Sequence, residues 1–399
     1  MSLDERMTNA KRPMSLDELV TDGKRQMQVC NACRYCEGYC AVWRAIEWRR
    51  EFSDKDMAYL ANLCHDCREC VFACPFTTPH EFGINPPKLF SGLREELYRR
   101  YAWPSGLAKA LAGNKSTFWV VSVISFILLL AVVMGTNGTA GLLNHHTGTG
   151  AFYKVLSEMF LEITFGALGI WFVGGWVIGA ARYWNDLKSR TSARVLPRDV
   201  RRATSYALQL RYLGKESQEE NFSISRKWFH HAVFYGFLLD FASTSLAAIY
   251  SHVLHVQAPY PVYNPVVLLG IVGGVGILIG ASGLLYTKSK SGSANSGGKD
   301  NSSGKAFSVS LLLVAVTGML VLLFRDTSAM GVILTVHLST VASLFFTAPY
   351  SKFVHFVYRY LALVRYAQEE RAAEEAANKP RVTPAAVKLR GKISKRNEI

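Results

Sequence analysis

The chain has 399 residues, of which 50% are hydrophobic and 19% charged, and its formal net charge is +15. A chain of this length is expected to hold more than one domain. Its lysines and arginines lie mainly in loops beside long apolar runs, which is the pattern of a membrane topology rather than of a DNA-binding face. We therefore expect a protein embedded in membrane lipid and no nucleic-acid partner.

All eight cysteines lie in the polar amino-terminal part of the chain, residues 1–112. They form two runs with the same spacing, C-x2-C-x2-C-x3-C, namely Cys30, Cys33, Cys36 and Cys40, followed by Cys64, Cys67, Cys70 and Cys74. This is the spacing of bacterial ferredoxins with two [4Fe–4S] clusters, in which the fourth cysteine of a run binds the other cluster. We therefore assign one cluster to Cys30, Cys33, Cys36 and Cys74, and the second to Cys64, Cys67, Cys70 and Cys40.

Two other uses of these cysteines fit the pattern less well. A disulfide framework belongs in an oxidising compartment, whereas no signal peptide is recognisable before Cys30. Zinc sites use two C-x-x-C pairs or mixtures of cysteine and histidine, not two matching runs of four. Thiolate-bound clusters instead place this domain on the reducing side of a membrane.

Six segments come close to the roughly 20 apolar residues that a helix needs to cross a bilayer. They are residues 117–136, 155–181, 229–256, 264–286, 306–324 and 331–357. A buried helix of a soluble protein would keep a polar stripe, which these runs lack. The predicted fold is all-α, with a cytoplasmic α-helical ferredoxin-like domain (1–112), a six-helix transmembrane bundle (113–357) and a cytoplasmic, basic and amphipathic tail (358–399).

The charges of the connecting loops predict the orientation of the bundle. Basic residues are concentrated between the second and third spans and between the fourth and fifth. In contrast, Gly135–Tyr153 and Gln257–Asn264 contain no lysine or arginine. By the positive-inside rule, the basic loops and therefore both termini lie in the cytoplasm. The sequence thus predicts a multi-pass protein of a bacterial inner (cell) membrane.

Histidines mark both ends of the third and sixth predicted spans. The candidate haem ligands are His230, His231, His252, His255, His337 and His355. The last two are 18 residues apart, which is five turns and about 27 Å of one helix, so they would share a face at opposite membrane edges.

Haem b is held by facing imidazoles from two helices at the same depth. We expect an inner pair that joins His355 to His230 or His231. An outer pair would join His337 to His252 or His255, so the chain would bind one haem or two.

Acidic residues inside membrane spans are costly and therefore informative. Glu158 and Glu162 lie four residues apart on the second span, and Asp240 lies deep in the third. We interpret Glu162 and Asp240 as candidates for proton transfer at a quinone site, whereas Glu158 is equally compatible with an interfacial position. His65 and His80 lie within and just after the second cysteine run, where they either tune a cluster or support local structure.

These features together resemble the citrate/tricarballylate utilisation protein B family. The segments NACRYCEGYCAVWRA, NLCHDCRECVFACPF and RKWFHHAVFYGFLLDFAS carry the resemblance, which extends from about residue 28 to residue 360. The spacing between His337 and His355 is also similar to that in the two-haem helix of the cytochrome b subunit of respiratory nitrate reductases.

The family resemblance implies an electron-transfer subunit of a flavoprotein:quinone oxidoreductase system, and we assign it no catalytic residues of its own. Its partner would be an FAD-dependent dehydrogenase of the tricarballylate- or citrate-utilisation type. Electrons would pass from that flavoprotein through two [4Fe–4S] clusters and haem b to quinone. The residues alone leave two alternatives open: a quinol-oxidising subunit that feeds a cytoplasmic reductase, and a membrane iron–sulfur redox sensor.

Overall fold

The computed structural model describes residues 14–111, 116–188, 194–213, 220–290 and 298–378; side chains are described except at 220–224 and 298–303. Within these ranges every regular element is helical and no strand occurs, which confirms the predicted all-α fold. The last part of the predicted tail, residues 379–399, lies outside the described residues.

Six helices form the amino-terminal domain: α1 (Leu16–Cys33), α2 (Ala41–Glu47), α3 (Asp54–Leu63), α4 (Glu69–Phe72), α5 (Pro86–Tyr101) and α6 (Ser105–Leu111). Their starts follow from local chemistry. Ser15 and Ser53 each accept a hydrogen bond from the third backbone amide of the helix, and an acidic side chain at that position bonds back. This reciprocal capping box satisfies donors that a helix start leaves free. Asn85 caps α5, whose first two residues are prolines, where a missing amide hydrogen costs nothing.

Six further helices are long and apolar enough to cross a membrane: α7 (Thr117–Thr136), α9 (Glu158–Lys188), α11 (Glu220–His252), α12 (Pro265–Lys290), α13 (Gly298–Phe324) and α14 (Met330–Thr347). The short helix α8 (Gly138–Leu143) follows the first span, and α10 (Pro197–Leu208) lies between the second and third. The predicted number of six spans is therefore confirmed.

Glycines allow α11 and α12 to pack closely. A Cβ atom added to Gly236 would lie 2.7 Å from the carbonyl oxygen of Gly273, and one added to Gly273 would lie 2.8 Å from the carbonyl oxygen of Gly236. Such small residues let two backbones approach within a bilayer, where packing rather than water drives helix association.

The sixth predicted span, residues 331–357, is not one helix, so that prediction was wrong. Helix α14 ends at Thr347, two short 3₁₀ turns follow at Ala348–Tyr350 and Lys352–Val354, and a new helix α15 (His355–Ala377) begins at His355. Pro349 lies in the break; a proline inside a helix lacks the amide hydrogen and clashes with the preceding turn.

Helix α15 is not a free tail, because it packs into the core of the amino-terminal domain. One hydrophobic cluster joins residues of α1–α3 and α5 to the ends of α9 and α10 and to the buried face of α15. Tyr183 of α9 and Tyr358 and Tyr366 of α15 are among its most fully buried side chains. The cysteine domain and the basic loop between the second and third spans therefore lie at the same end of the bundle.

A buried ion network connects α15 to the cysteine domain. The Arg49 guanidinium, whose side chain is only 8% exposed, donates to Asp56 at 2.9 Å and to Glu369 of α15 at 2.7 Å. Tyr59 donates its hydroxyl to the same Glu369 carboxylate. Because removing one partner of a buried ion pair leaves the other charge uncompensated, this junction is sensitive to single substitutions.

We predict that Arg49→Gln lowers the stability of the docked domain by about 3–5 kcal/mol, because the buried Asp56 loses its bond to the guanidinium and Glu369 keeps only one of its two arginines, Arg365. Thermal unfolding of the detergent-solubilised protein measures this change. Arg198→Gln is the matched control, since Arg198 pairs with Glu375 while both side chains are more than half exposed; its loss costs about 0–1 kcal/mol. Equal effects of the two substitutions would contradict the prediction.

Candidate functional site

The cysteines of the amino-terminal domain line two cavities. The first is lined by all four cysteines that we assign to one cluster, Cys30, Cys33, Cys36 and Cys74, and also by Cys70. Tyr35, Trp43 and Phe76 form part of its apolar wall. Cys33 is exposed to solvent, whereas Cys36 is buried. This cavity therefore opens to the surface.

The second cavity is lined by Cys40, Cys64, Cys67 and Cys70, together with His65. The fourth cysteine of each run thus lies in the cavity of the other run, which is the arrangement that the interleaved assignment requires. That these cysteines bind iron stays a prediction.

Backbone geometry shapes the loops around both cavities. Arg34, Asp66 and Arg68 have positive φ angles of 54°, 58° and 72°, although none is glycine. Non-glycine residues in this conformation are strained and concentrate at functional sites. The turns also aim backbone amides at sulfur: Asp66 donates to Cys64 Sγ at 3.3 Å and Phe76 to Cys74 Sγ at 3.4 Å. Such hydrogen bonds tune the potential of iron–sulfur clusters.

Burial makes the cysteines of the second cavity poor thiolates without a metal. It raises the pKa of Cys67 and Cys70 well above the usual range, and neighbouring cysteine sulfurs raise both further. A cation that binds directly to sulfur reverses this preference. Within the described residues no group of three or more His, Cys, Asp or Glu side chains surrounds one metal ion. A cubane differs, because each cysteine binds a separate iron.

His230 of α11 and His355 of α15 face each other at the domain end of the bundle. Their ring centroids are 6.4 Å apart and their planes are inclined by 80°. When two imidazole rings bind the same iron atom at about 2 Å, their centroids are about 6 Å apart. The observed spacing is therefore compatible with one iron between the rings.

The nitrogens of this pair also suit axial ligation. His355 Nδ1 forms a hydrogen bond with the carbonyl of Lys352 at 2.7 Å. A bond of this kind fixes the orientation of a metal-binding histidine and leaves its Nε2 atom free for the metal. His230 Nδ1 is buried and has no hydrogen-bond partner. Burial lowers the pKa of His355 to about 4, so its ring is neutral at pH 7, the form that binds metals.

The histidine pair lies against the loop of the second cavity. Arg226 of α11 donates to the carbonyl of Asp66 at 2.7 Å, and Arg359 of α15 donates to the carbonyl of Leu63 at 2.8 Å. His65 lies between these two carbonyls in the chain and interacts electrostatically with His230 and His355. No role for either arginine was predicted from the sequence, although each is four residues from a candidate haem ligand.

The structure separates the other candidate histidines. His231 lies beside the aromatic rings of Trp228 and Tyr235 and hydrogen-bonds near the end of α10, away from His355. Of the two residues, His230 is therefore the one that faces His355. His355 and His337 occupy two different helices, so the predicted shared helix face was wrong.

The predicted outer pair is not formed. His337 Nδ1 lies 3.0 Å from Thr317 Oγ1 of α13, seven residues or about 10 Å inside its helix. His252 is the last residue of α11; its side chain is 55% exposed and lies 3.3 Å from Glu162. His255 follows the helix with a φ of 54°. Among the described residues no hydrogen bond or ring contact joins His337 to His252 or His255.

The acidic candidates fall at two levels of the bundle. Glu158 accepts hydrogen bonds from Ser251 and from Gln257, at the same end as the contact between Glu162 and His252. Asp240 lies in the middle of α11, directly opposite Gly273 of α12. His80 accepts a hydrogen bond from the Phe82 amide and supports its own loop.

A helical membrane bundle whose cysteine domain carries two ferredoxin-type runs is the architecture of a membrane iron–sulfur protein. Residues 113–377 match the family described as Citrate utilization protein B, and residues 23–100 match the Citrate utilization protein B Fer4-like domain. The chain is also 39% identical over 356 residues to Citrate utilization protein B of Escherichia coli, covering 88% of this chain and 92% of that relative.

The chain belongs to the citrate utilization protein B family. Its Fer4-like domain indicates an iron–sulfur electron-transfer role. No solved structure matches the chain.

We predict that anaerobically purified protein contains about eight irons per chain, as two [4Fe–4S] clusters require. Cys67→Ser should remove close to half of this iron, because Cys67 lines only the second cavity, while membrane insertion is unchanged. Iron analysis and electron paramagnetic resonance measure the effect. His80→Ala, in the same domain but outside both cavities, should retain the iron. Full iron content in Cys67→Ser would contradict the assignment.

Proposed function

We propose that the chain is a membrane-bound electron-transfer subunit that takes electrons from a partner flavoprotein and passes them to quinone. The path runs through two [4Fe–4S] clusters, one in each cysteine cavity, and haem b held between His230 and His355. The single observation that carries this proposal is the position of the histidine pair directly against the loop that contains Cys64 and Cys67. A cofactor at the pair would be the nearest electron acceptor for the second cluster.

Electrons enter at the first cavity in this proposal. Cys33 is exposed there, and Tyr35 and Phe72 present side chains that are more than 60% exposed on the cytoplasmic domain. Exposed aromatic residues are enriched at protein interfaces. The second cavity is further from the surface and closer to the bundle, so the first cluster receives electrons and the second passes them on. The proposed donor is an FAD-dependent dehydrogenase of the tricarballylate- or citrate-utilisation type.

The residues present suit one haem rather than two. His230 and His355 are the residues that would hold the haem, with the Lys352 carbonyl orienting the ring of His355. Bound there, haem b supplies a one-electron carrier between the clusters and a two-electron quinone. Neither His252, which lies beside Glu162, nor His255 faces His337, so we propose no haem at the outer end.

The proposed orientation places both termini in the cytoplasm of a bacterium, with the bundle in the inner membrane. The cysteine domain packs at the end of the bundle where the basic loops lie, which supports this orientation. Asp240 is the proposed proton donor for a quinone bound within the bundle, because an acid at this depth is costly unless it has a function. Glu162, beside His252 at the other end, is the second candidate.

The visible spectrum tests the proposed function. Purified protein should show haem b bands that become reduced when a reduced flavoprotein of the proposed type is added, and that are reoxidised by a quinone. His230→Ala and His355→Ala should each abolish these bands, because an iron with one axial histidine loses half of its protein ligation. His252→Ala is the matched control and should keep the full spectrum.

Haem that persists in both His230→Ala and His355→Ala would contradict the proposed ligands. Haem reduced by a quinol but not by the flavoprotein would favour the opposite direction of electron flow. Protein that contains clusters but no haem would favour a sensor over a relay.

The orientation predicts the result of reporter fusions. A reporter that is active only outside the cytoplasm should work after Gly141 or Pro261, in loops without basic residues, and fail after Ser293 or at the carboxyl terminus. The fusion sites at Ser293 and at the carboxyl terminus lie in the cytoplasm in this orientation, because basic loops stay on that side of a membrane. The reverse pattern would place the clusters on the oxidising side, where the proposed relay cannot operate.

A further inference from the structure

The loop between Leu63 and Asp66 is held at both ends by arginines from the membrane bundle and from α15. Arg359 donates to the Leu63 carbonyl at 2.8 Å and Arg226 to the Asp66 carbonyl at 2.7 Å. Between these carbonyls lie Cys64, which lines the second cavity, and His65. Both bonds have a charged donor, which makes them stronger than bonds between neutral groups.

The two arginines are in register with the histidine pair. Arg226 precedes His230 by four residues on α11, and Arg359 follows His355 by four residues on α15. Residues four apart lie on the same face of a helix, one turn from each other. The two helices that supply the histidine pair therefore also bind the cysteine loop. Each does so through an arginine one helical turn from its histidine.

The charge of Arg359 is directed at the second cavity. Its guanidinium is close enough to the sulfurs of Cys64, Cys40 and Cys67 to interact with them electrostatically, and an arginine is always positive at pH 7. Its Nη2 atom is buried and has no hydrogen-bond partner. A buried cation is costly unless an anion lies close, and the thiolates of a bound cluster would provide one.

A third arginine supports the same loop from within the cysteine domain. Arg94 of α5 donates to the carbonyls of Ala61 and Cys64, at 2.8 and 3.3 Å. The loop is therefore anchored both to its own domain and to the two helices of the histidine pair. The bonds from Arg226 and Arg359 join the loop directly to the two helices that carry that pair.

We propose that Arg226 and Arg359 are positioning residues that hold the second cysteine loop at a fixed distance from the His230–His355 pair and thereby set the rate of electron transfer between them. This inference rests on the proposed function. The transfer moves one electron from the reduced cluster to the oxidised haem, and no bond or proton changes. Because the rate of tunnelling falls steeply with distance, a loop that drifts from the pair transfers electrons slowly even when both cofactors are bound.

The test uses the full-length protein with its clusters and haem, in lipid nanodiscs. A light pulse reduces the clusters through a small photoreductant, and the haem band is followed in time. Arg359→Gln and Arg226→Gln should each slow haem reduction about tenfold, because a loop that has lost one bond from a charged donor lies further from the pair on average and the tunnelling rate falls steeply with distance. The two substitutions together should slow it further.

Conservative and control variants separate position from charge. Arg359→Lys keeps the positive charge and one donor, so it should keep the reduction potential of the second cluster and recover part of the rate. Arg359→Gln should lower that potential. Arg182→Gln is the matched control: Arg182 on α9 also donates to backbone carbonyls of the cysteine domain, at Tyr101 and Ala102, but not at the cysteine loop. It should keep the wild-type rate.

Hydrogen exchange gives a readout that does not depend on haem. The amides of residues 63–66 should exchange faster in Arg226→Gln and Arg359→Gln than in Arg182→Gln. A wild-type rate and unchanged exchange in both glutamine variants would overturn this inference and leave the proposed function intact. Absence of haem from the wild-type protein would overturn the proposed function instead, and the inference with it.

Discussion

The structure depends on the docking of one helix, α15, against the cysteine domain. This helix follows the last membrane span after a break at Pro349, and its first residue is His355. It carries Arg359, which grips the cysteine loop, and Glu369, which pairs with the buried Arg49. Its buried tyrosines complete the core of the domain. The domain and the bundle therefore share one core and are held together along α15 from Arg359 to Glu370, about three turns of helix.

The energetics of this junction are uneven. Buried ion pairs cost desolvation free energy that their attraction only partly returns, so they contribute specificity more than stability. The aromatic core around Tyr183, Tyr358 and Tyr366 supplies the hydrophobic part. The ionic part requires a single relative position of α15 and the domain, because only one register gives Arg49 both of its carboxylates. A precise position is what transfer between two cofactors needs.

The sequence predicted the spans well because a bilayer imposes length and polarity on each helix separately. The first agrees with its helix at both ends, and the next four differ from theirs by at most nine residues at either end. The prediction of the sixth span was wrong because hydropathy does not detect a break in a helix. Several residues after Pro349 are apolar, yet the chain forms two 3₁₀ turns there and then starts a new helix. The regular spacing of His337 and His355 was therefore misleading, since a periodicity of 3.6 has meaning only within one continuous helix.

The cysteine spacing predicted which residues gather at each cavity, since each run is short and the fourth residue is displaced by a known offset. The choice of His230 over His231 could not be predicted, because adjacent residues point about 100° apart and only tertiary packing decides which one faces α15. The roles of Arg226 and Arg359 depend on carbonyl groups distant in the chain, which no local pattern reveals. The one local signal for these two arginines is that each lies four residues from a candidate histidine ligand.

The order of elements along the chain has a consequence for biosynthesis. A chain is made from its amino terminus, and domains tend to fold as they emerge. Here the cysteine runs emerge first, but His355, Arg359 and Glu369 follow all six spans. The cysteine domain must therefore wait with an incomplete core until the whole bundle has been inserted. The junction between its second cavity and the histidine pair can be assembled only on a finished membrane protein, so a chain that stalls during insertion leaves the second cavity without its contacts to that pair.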